Sequence, residues 1–232
     1  MCVLRGLGGR LASCRTRSGP GWGGPASAER SSVIARIGVL ALQGDVREHV
    51  GALSRAGADA TTVRTADELA EVDALVLPGG ESTTMSRLLR VFMLEQPLRA
   101  RLDRGMPTLA TCAGLILLSR AVIDGRPDQI ALGTLDVVTR RNAFGRQIES
   151  FEADLVVEPL GVAPLHGVFI RAPQLIEVGP AARVIAEFEG MPVAVEQGPH
   201  LGLCFHPEMT DDIRLHRYFV ERVDELMEQD VA

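Results

Sequence analysis

Cys112, His206 and Glu208 are the residues of this 232-residue chain whose types and settings could carry nucleophilic chemistry. Cys112 lies in PTLATCAGLILL (107–118), which reads as a buried strand, a small-residue turn at Ala113-Gly114 and an apolar helix. Such a corner lifts one side chain out of the backbone and aims the amides of the new helix at whatever that side chain attacks. A thiolate is a strong nucleophile when its pKa is lowered, and small neighbours let a substrate come close to those amides. Taken alone, the same corner suits a buried structural cysteine equally well.

A thiol nucleophile needs a base, and the base needs a third group to hold its tautomer. Of the five histidines, His49 and His216 fall in amphipathic helical text, His166 in a Pro-flanked loop and His200 at the start of a strand. His206 differs: it follows the apolar strand LGLCF and precedes Pro207, which stops that strand at the sheet's edge. Glu208, two residues on, projects to the same side of an extended segment and brings a carboxylate within reach of the imidazole. Cys204, the rival thiol, sits inside the apolar strand with no turn to expose it and reads as core. The run from Pro78 to Thr84, PGGESTT, supplies a third piece. Two glycines at a strand end let an amide face an oxyanion, beside a helix start capped by Ser82. The run also suits a plain tight turn between strand and helix, and it matches neither glycine pattern of phosphate-binding loops.

The elements that must position these residues alternate. IGVLAL (37–42) is a continuous apolar run suited to a strand buried on both faces. Asp45 is placed to cap a helix through about Ala56, ended by Gly57. ATTVRT (60–65) and Asp73–Leu77 read as strands, Ser82–Leu94 and Pro97–Arg104 as helices. This is a doubly wound α/β pattern, in which ligands sit at the carboxyl ends of strands: here Gln43-Gly44, Gly79–Ser82 and Thr111-Cys112. The second half reads as short alternating strands at Leu132–Arg140, Ser150–Glu158, Gly167–Arg171, Arg183–Glu187, Pro192–Glu196 and His200–Phe205. Hairpin tips are expected at Gly190-Met191 and Gln197–Pro199. A closing amphipathic helix runs from about Asp211 to Met227, with Thr210 or Asp211 as its cap.

Length and composition fit one α/β domain with a large core. All 24 basic residues are arginine, which excludes a P-loop lysine, a Schiff-base lysine and covalent attachment of a pyridoxal cofactor. Residues 1–35 carry five arginines and one acid, leaving 19 arginines against 29 acids in the body. An acidic body argues against nucleic acid as a partner. Four cysteines without metal-like spacing fit a reduced cytoplasm and imply no metal site. No window approaches the roughly 18 apolar residues of a membrane span. Residues 1–34 are rich in Gly, Arg, Ser and Pro with no periodic apolar pattern, and read as a disordered extension. Their glycines and Arg10 interrupt any secretory core. An organelle transit peptide and an upstream start both fit, the latter with the working chain beginning near Val33.

The segments LALQGDVREH, LVLPGGESTTM, TCAGLILL, RRNAFGRQIESFEADL, GVFIRAP and LGLCFHPEMTDD together resemble the class I glutamine amidotransferases. More narrowly they are similar to the glutaminase subunits of pyridoxal 5'-phosphate (vitamin B6) synthases. The likeness runs from about Arg36 to the C-terminus; TCAG and FHPE are general, whereas GGESTTM, RNAFGRQ and VFIRAP point to the narrower branch. The resemblance implies a three-layer α/β fold over 35–232, with helices on both faces of a mostly parallel sheet and an added antiparallel region. It implies Cys112 as nucleophile, His206 as base and Glu208 as the carboxylate that orients it. Gly80, Glu81, Ser82, Arg141, Ile170 and Arg171 would bind L-glutamine, with the Gly80 and Ala113 amides as oxyanion hole. Glutamine would be hydrolysed through a glutamyl thioester and ammonia passed to a separate synthase subunit, with no cofactor on this chain and neither nucleic acid nor membrane involved. The oxyanion hole would be incomplete until that subunit docks, with the first helix and the QGDVREH turn as docking surface. Ala143 departs from the family pattern, where a serine is expected. The contrasting reading is a glutaminase-like redox or regulatory module without turnover, for which a low-pKa Cys112 would serve as sensor.

Overall fold

The computed structural model describes residues 34–141 and 150–230, all within one unit, Ile34–Ala232. The N-terminal stretch and positions 142–149, which include Ala143 and most of the RNAFGRQ motif, lie outside the described residues. The first half alternates β1 (Arg36–Leu40), α1 (Val46–Ala56), β2 (Asp59–Val63), α2 (Ala66–Ala70), β3 (Ala74–Leu77), α3 (Ser82–Val91), α4 (Glu95–Asp103), β4 (Thr108–Thr111) and α5 (Ala113–Leu118). Then come β5 (Ser119–Ile123), β6 (Leu135–Arg140), β7 (Ser150–Leu155), β8 (Leu165–Ile170), β9 (Gln174–Val178), β10 (Arg183–Phe188), β11 (Met191–Gln197), β12 (His200–Leu203) and α6 (Arg214–Asp230).

A seven-stranded sheet has the order β10-β11-β12-β4-β3-β1-β2. Its five strands from β12 to β2 are parallel, and β11 and β10 add to it antiparallel. The parallel strands are short and apolar because both faces are covered: β3 and β4 are buried at every position. Around them α1 packs with α6, α2 with α4 and α3 with α5. A three-stranded sheet, β5-β6-β9, and the β7–β8 hairpin stand beside the main sheet. The α/β class and the mixed sheet agree with the expectation from sequence.

Several local expectations need correction. The last helix starts at Arg214 rather than Asp211, and it is the Asp212 carboxylate that accepts from the Arg214 amide, at 3.0 Å. The hairpin between β10 and β11 turns at Glu189-Gly190, whose φ values of 50° and 76° suit a two-residue turn, so Met191 is already strand. The helix expected over Ser82–Leu94 ends at Val91, and β5, β9 and α2 carried too little periodicity to be read. β12 is an interior strand, and Pro207 falls where the chain leaves its carboxyl end.

Candidate active site

β12, β4, β3 and β1 lie side by side, so their carboxyl ends open on one crevice. Leu203 pairs with Thr111, and Leu77 with Ala110. Cys112 therefore emerges between the strand leading to His206 and the Gly79-Gly80 loop. Its φ of 46° and ψ of −100° are a conformation that L-residues avoid, at a cost of about 1–3 kcal/mol. The surroundings impose it. The Cys112 amide donates to the Leu203 carbonyl at 2.8 Å, and the Cys112 carbonyl accepts from Ile116 at 3.2 Å, starting α5. At Gly114 a β-carbon would stand 2.1 Å from the Leu77 carbonyl oxygen, so only glycine lets α5 sit this close to β3.

His206 is buried, with its backbone amide donating to the Val168 carbonyl of β8 at 2.8 Å. Its Nδ1 lies 2.8 Å from Glu208 Oε1 and 3.4 Å from Asp45 Oδ2. Two carboxylates facing Nδ1 hold a ring proton there, so Nε2 is the nitrogen that takes up and releases the working proton. Nε2 has no hydrogen-bond partner among the described residues. Burial is the largest influence on the ring and disfavours its cation. Contacts with Asp45, the Cys112 sulfur and Glu208 outweigh it and raise the pKa of the ring. Burial likewise works against the Glu208 anion, yet His49 and His206 hold its carboxyl well below the usual range. The Cys112 Sγ lies 3.9 Å from the Ile170 carbonyl oxygen, on the wall of the pocket formed by β8. Asp45, expected as a helix cap, makes no side-chain cap bond and turns to His206 instead.

In front of Cys112 lies a cavity of about 430 Å³. Gly80, Glu81, Ser82, Arg141, Ile170 and Arg171 all line it, as do Cys112 and His206; Glu208 stands behind His206, and Ala113 is buried rather than lining. Gly80 adopts φ 151°. Glu81, not Ser82, caps α3: its carboxylate accepts from the Thr83 and Thr84 amides at 3.1 and 2.7 Å. Burial opposes that anion, but the bonds from Thr84 and Thr83 bring the Glu81 pKa to about 2. The Ser82 hydroxyl donates to Gln129 at 3.1 Å. The Arg141 guanidinium donates to Glu81 at 2.8 Å and to Thr83 at 2.9 Å, which leaves part of its five-donor fork for a ligand. Arg171 has φ 44°, a second strained corner facing Cys112. The corner is anchored just before it, where the buried rings of Phe169 and Phe205 meet at 5.6 Å, a pair that contributes about 0.5–1.5 kcal/mol beyond its buried area.

Three contributors were given no chemical role from sequence. Gln43 Oε1 accepts from the Glu81 amide at 2.8 Å and ties the end of β1 to the loop after β3. His49 and His216, read from sequence only as parts of amphipathic helices, are fully buried. The signal existed in the spacing: Asp45 and His49 are four residues apart and so share one helix face with buried Leu53. Asp45, His206 and Glu208 bring one ligand atom each within 4.8 Å of one another, the one such group among the described residues. Hydrogen bonds to a shared imidazole account for that spacing.

A family model described as the SNO glutamine amidotransferase family matches residues 39–225. A protein of Parafrankia sp. named pyridoxal 5'-phosphate synthase subunit PdxT is 63% identical over 188 residues, covering 81% of this chain and 93% of that one. Its namesake from Acidothermus cellulolyticus is 58% identical over 193 residues, covering 81% and 93%. A crystal structure described as a glutamine amidotransferase superposes with a TM-score of 0.75 at 49% identity, covering 81% of this chain and 98% of that one. A structure described as a putative GMP synthase subunit from Thermoplasma acidophilum shares the fold with a TM-score of 0.61 at 16% identity, covering 86% and 98%. A thiol on a strained corner, a carboxylate-held imidazole and a family match over nearly all the described residues lead to one conclusion: the chain belongs to the SNO glutamine amidotransferase family.

Proposed function

We propose that the chain is the glutaminase subunit of a pyridoxal 5'-phosphate synthase. It hydrolyses L-glutamine to L-glutamate and ammonia, and hands the ammonia to a synthase subunit. The observation that carries the reading is the line Cys112–His206–Glu208 at the carboxyl ends of β4 and β12, with Cys112 and His206 lining the cavity and His206 Nε2 without a hydrogen-bond partner among the described residues. It is supported by the relatives named as subunits of that synthase.

Cys112 Sγ attacks the side-chain amide carbon of glutamine while its proton passes to His206 Nε2. The oxyanion is taken by backbone amides at Gly80 and Ala113. His206 then gives the proton to the leaving nitrogen, and ammonia departs as the C–N bond breaks and a γ-glutamyl thioester remains. Water, deprotonated by His206, attacks the thioester; glutamate leaves and the thiol is restored. Glu208 stays ionised and stabilises the imidazolium at each step. Arg141 grips the α-carboxylate of glutamine, and the carbonyl of Ile170, beside Arg171, faces its ammonium. Glu81 and Ser82 complete that end of the pocket. No cofactor takes part. The working complex is a cytoplasmic hetero-oligomer with the synthase subunit, free of nucleic acid and membrane, and residues 1–34 lie outside the glutaminase domain, 35–232. Free cysteines at Cys112 and Cys204 suit a reducing compartment.

The test is glutamate release from glutamine with and without the synthase subunit, with Cys112→Ala as blank. Release that needs the partner and vanishes in the variant is expected. Release at the blank level with the partner demonstrably bound defeats the proposal.

A further inference from the structure

Behind Glu208, away from the cavity, lies a buried polar cluster that the mechanism above does not use. His49 on α1 and His216 on α6 are both fully buried, with ring centres 5.3 Å apart. His49 Nδ1 lies 3.1 Å from His216 Nε2. His49 Nε2 lies 3.3 Å from Glu208 Oε1 and 3.2 Å from Thr111 Oγ1. Glu208 Oε2 and His216 Nδ1 have no hydrogen-bond partner among the described residues. Thr111 immediately precedes the nucleophile, so the cluster touches both ends of the triad.

Counting protons settles the direction of these bonds. An ionised Glu208 only accepts, so His49 must carry a proton on Nε2. Burial above all lowers the pKa of His216, to about 3, so this ring is neutral and holds one proton. If that proton sat on Nδ1 it would be a buried donor with no acceptor, the costlier kind of orphan. On Nε2 it meets the lone pair of His49 Nδ1, and the orphan Nδ1 is only a bare lone pair. Every N–H then has an acceptor: His216 Nε2–H to His49 Nδ1, His49 Nε2–H shared between Glu208 Oε1 and Thr111 Oγ1, and His206 Nδ1–H to the same carboxylate oxygen.

We propose that His216, His49 and Glu208 form a one-way hydrogen-bond chain that fixes the tautomer and orientation of His206, with His49 and His216 as positioning residues. The role rests on the reading of Cys112, His206 and Glu208 as the glutaminase triad. Because the triad His206 and the buried His49 converge on one carboxylate oxygen, Glu208 cannot swing away when His206 gains its proton. The chain also ties catalysis to the seating of α1, which carries His49 and, at its entrance, Asp45.

The experiment compares wild type with His49→Leu, His49→Gln and His216→Leu as full chains with the synthase subunit. Ring-nitrogen NMR of histidine-labelled protein and melting temperatures are recorded alongside glutamine turnover. His49→Leu is expected to lower kcat about 10–100-fold with KM unchanged. His49→Gln, whose amide nitrogen replaces the Nε2 donor, should recover most of it, and His216→Leu should cost less than His49→Leu. The spectra should show Nε2–H tautomers for His49 and His216, and a shifted or split His206 Nδ1–H signal in His49→Leu in place of the single wild-type one. Equal losses in the Leu and Gln variants, or an unprotonated His49 Nε2 in wild type, overturn the inference. Wild type that binds its partner yet turns over no glutamine defeats the triad reading instead, and the ring spectra still decide the hydrogen-bond chain.

Discussion

The wall of the pocket that carries Cys112, His206 and Glu208 grows out of interior strands of the seven-stranded sheet, whereas Arg141, Ile170 and Arg171 come from the small sheets beside it. Both walls use the same device, a side chain released at a strand end, but with different support. β4 and β12 are buried along their whole length. On β7 and β8 alternate positions are open, and the exposed His166 spans Asp154 and Glu152 at 2.9 and 3.0 Å. Covalent chemistry needs atoms held to fractions of an ångström, and the sheet interior supplies that. Gripping a flexible amino acid tolerates a looser frame.

The largest effect falls on the rigid wall. Cys112→Ala should lower glutamine turnover by at least about 10⁴-fold without changing the circular-dichroism spectrum. Next comes Gly79→Ala: the new β-carbon would stand 2.2 Å from His206 Cε1, and a displacement of that order costs about 10²-fold in kcat. On the other wall Arg141→Lys loses the bidentate fork, and steady-state kinetics should show KM up about tenfold, or about 1.4 kcal/mol, with kcat little changed. Should Gly79→Ala raise KM alone, or Arg141→Lys lower kcat alone, the division between the walls fails. The smallest effect concerns pH. Because the folded pKa of Glu81 lies below its ordinary 4.5, its charge stabilises the fold fully above that value and less as pH falls towards 2. Melting curves of wild type and Glu81→Gln should differ by a constant amount above pH 4.5 and converge below it. The gap will be modest, since the Glu81 side chain is 42% exposed.

Cys112, His206 and Gly80 were legible in the sequence because apolar strand runs, small turn residues and a proline mark strand ends, and strand ends of this fold share one crevice. Glu208 was legible by adjacency alone. Asp45 was not: an aspartate that caps a helix and one that reaches forward from the same place have identical local sequence, and only the position of β12 distinguishes them. His49 and His216 share the difficulty on a longer scale, since their contact spans 167 residues. Ser82 lost the cap to Glu81 because the longer carboxylate reaches two amides while also facing Arg141. The short β5 and β9 follow neither clean period, and their pairing with β6, not their composition, makes them strands.

The left-handed backbone at Cys112 means that natural selection holds this position against the chain's own folding preference. Glycine would occupy φ 46° without penalty. Cys112→Gly should therefore melt higher than Cys112→Ala, so drift at this site runs downhill towards an inert, sturdier protein. A lineage released from the need for the reaction would be expected to lose its thiol early and keep its fold.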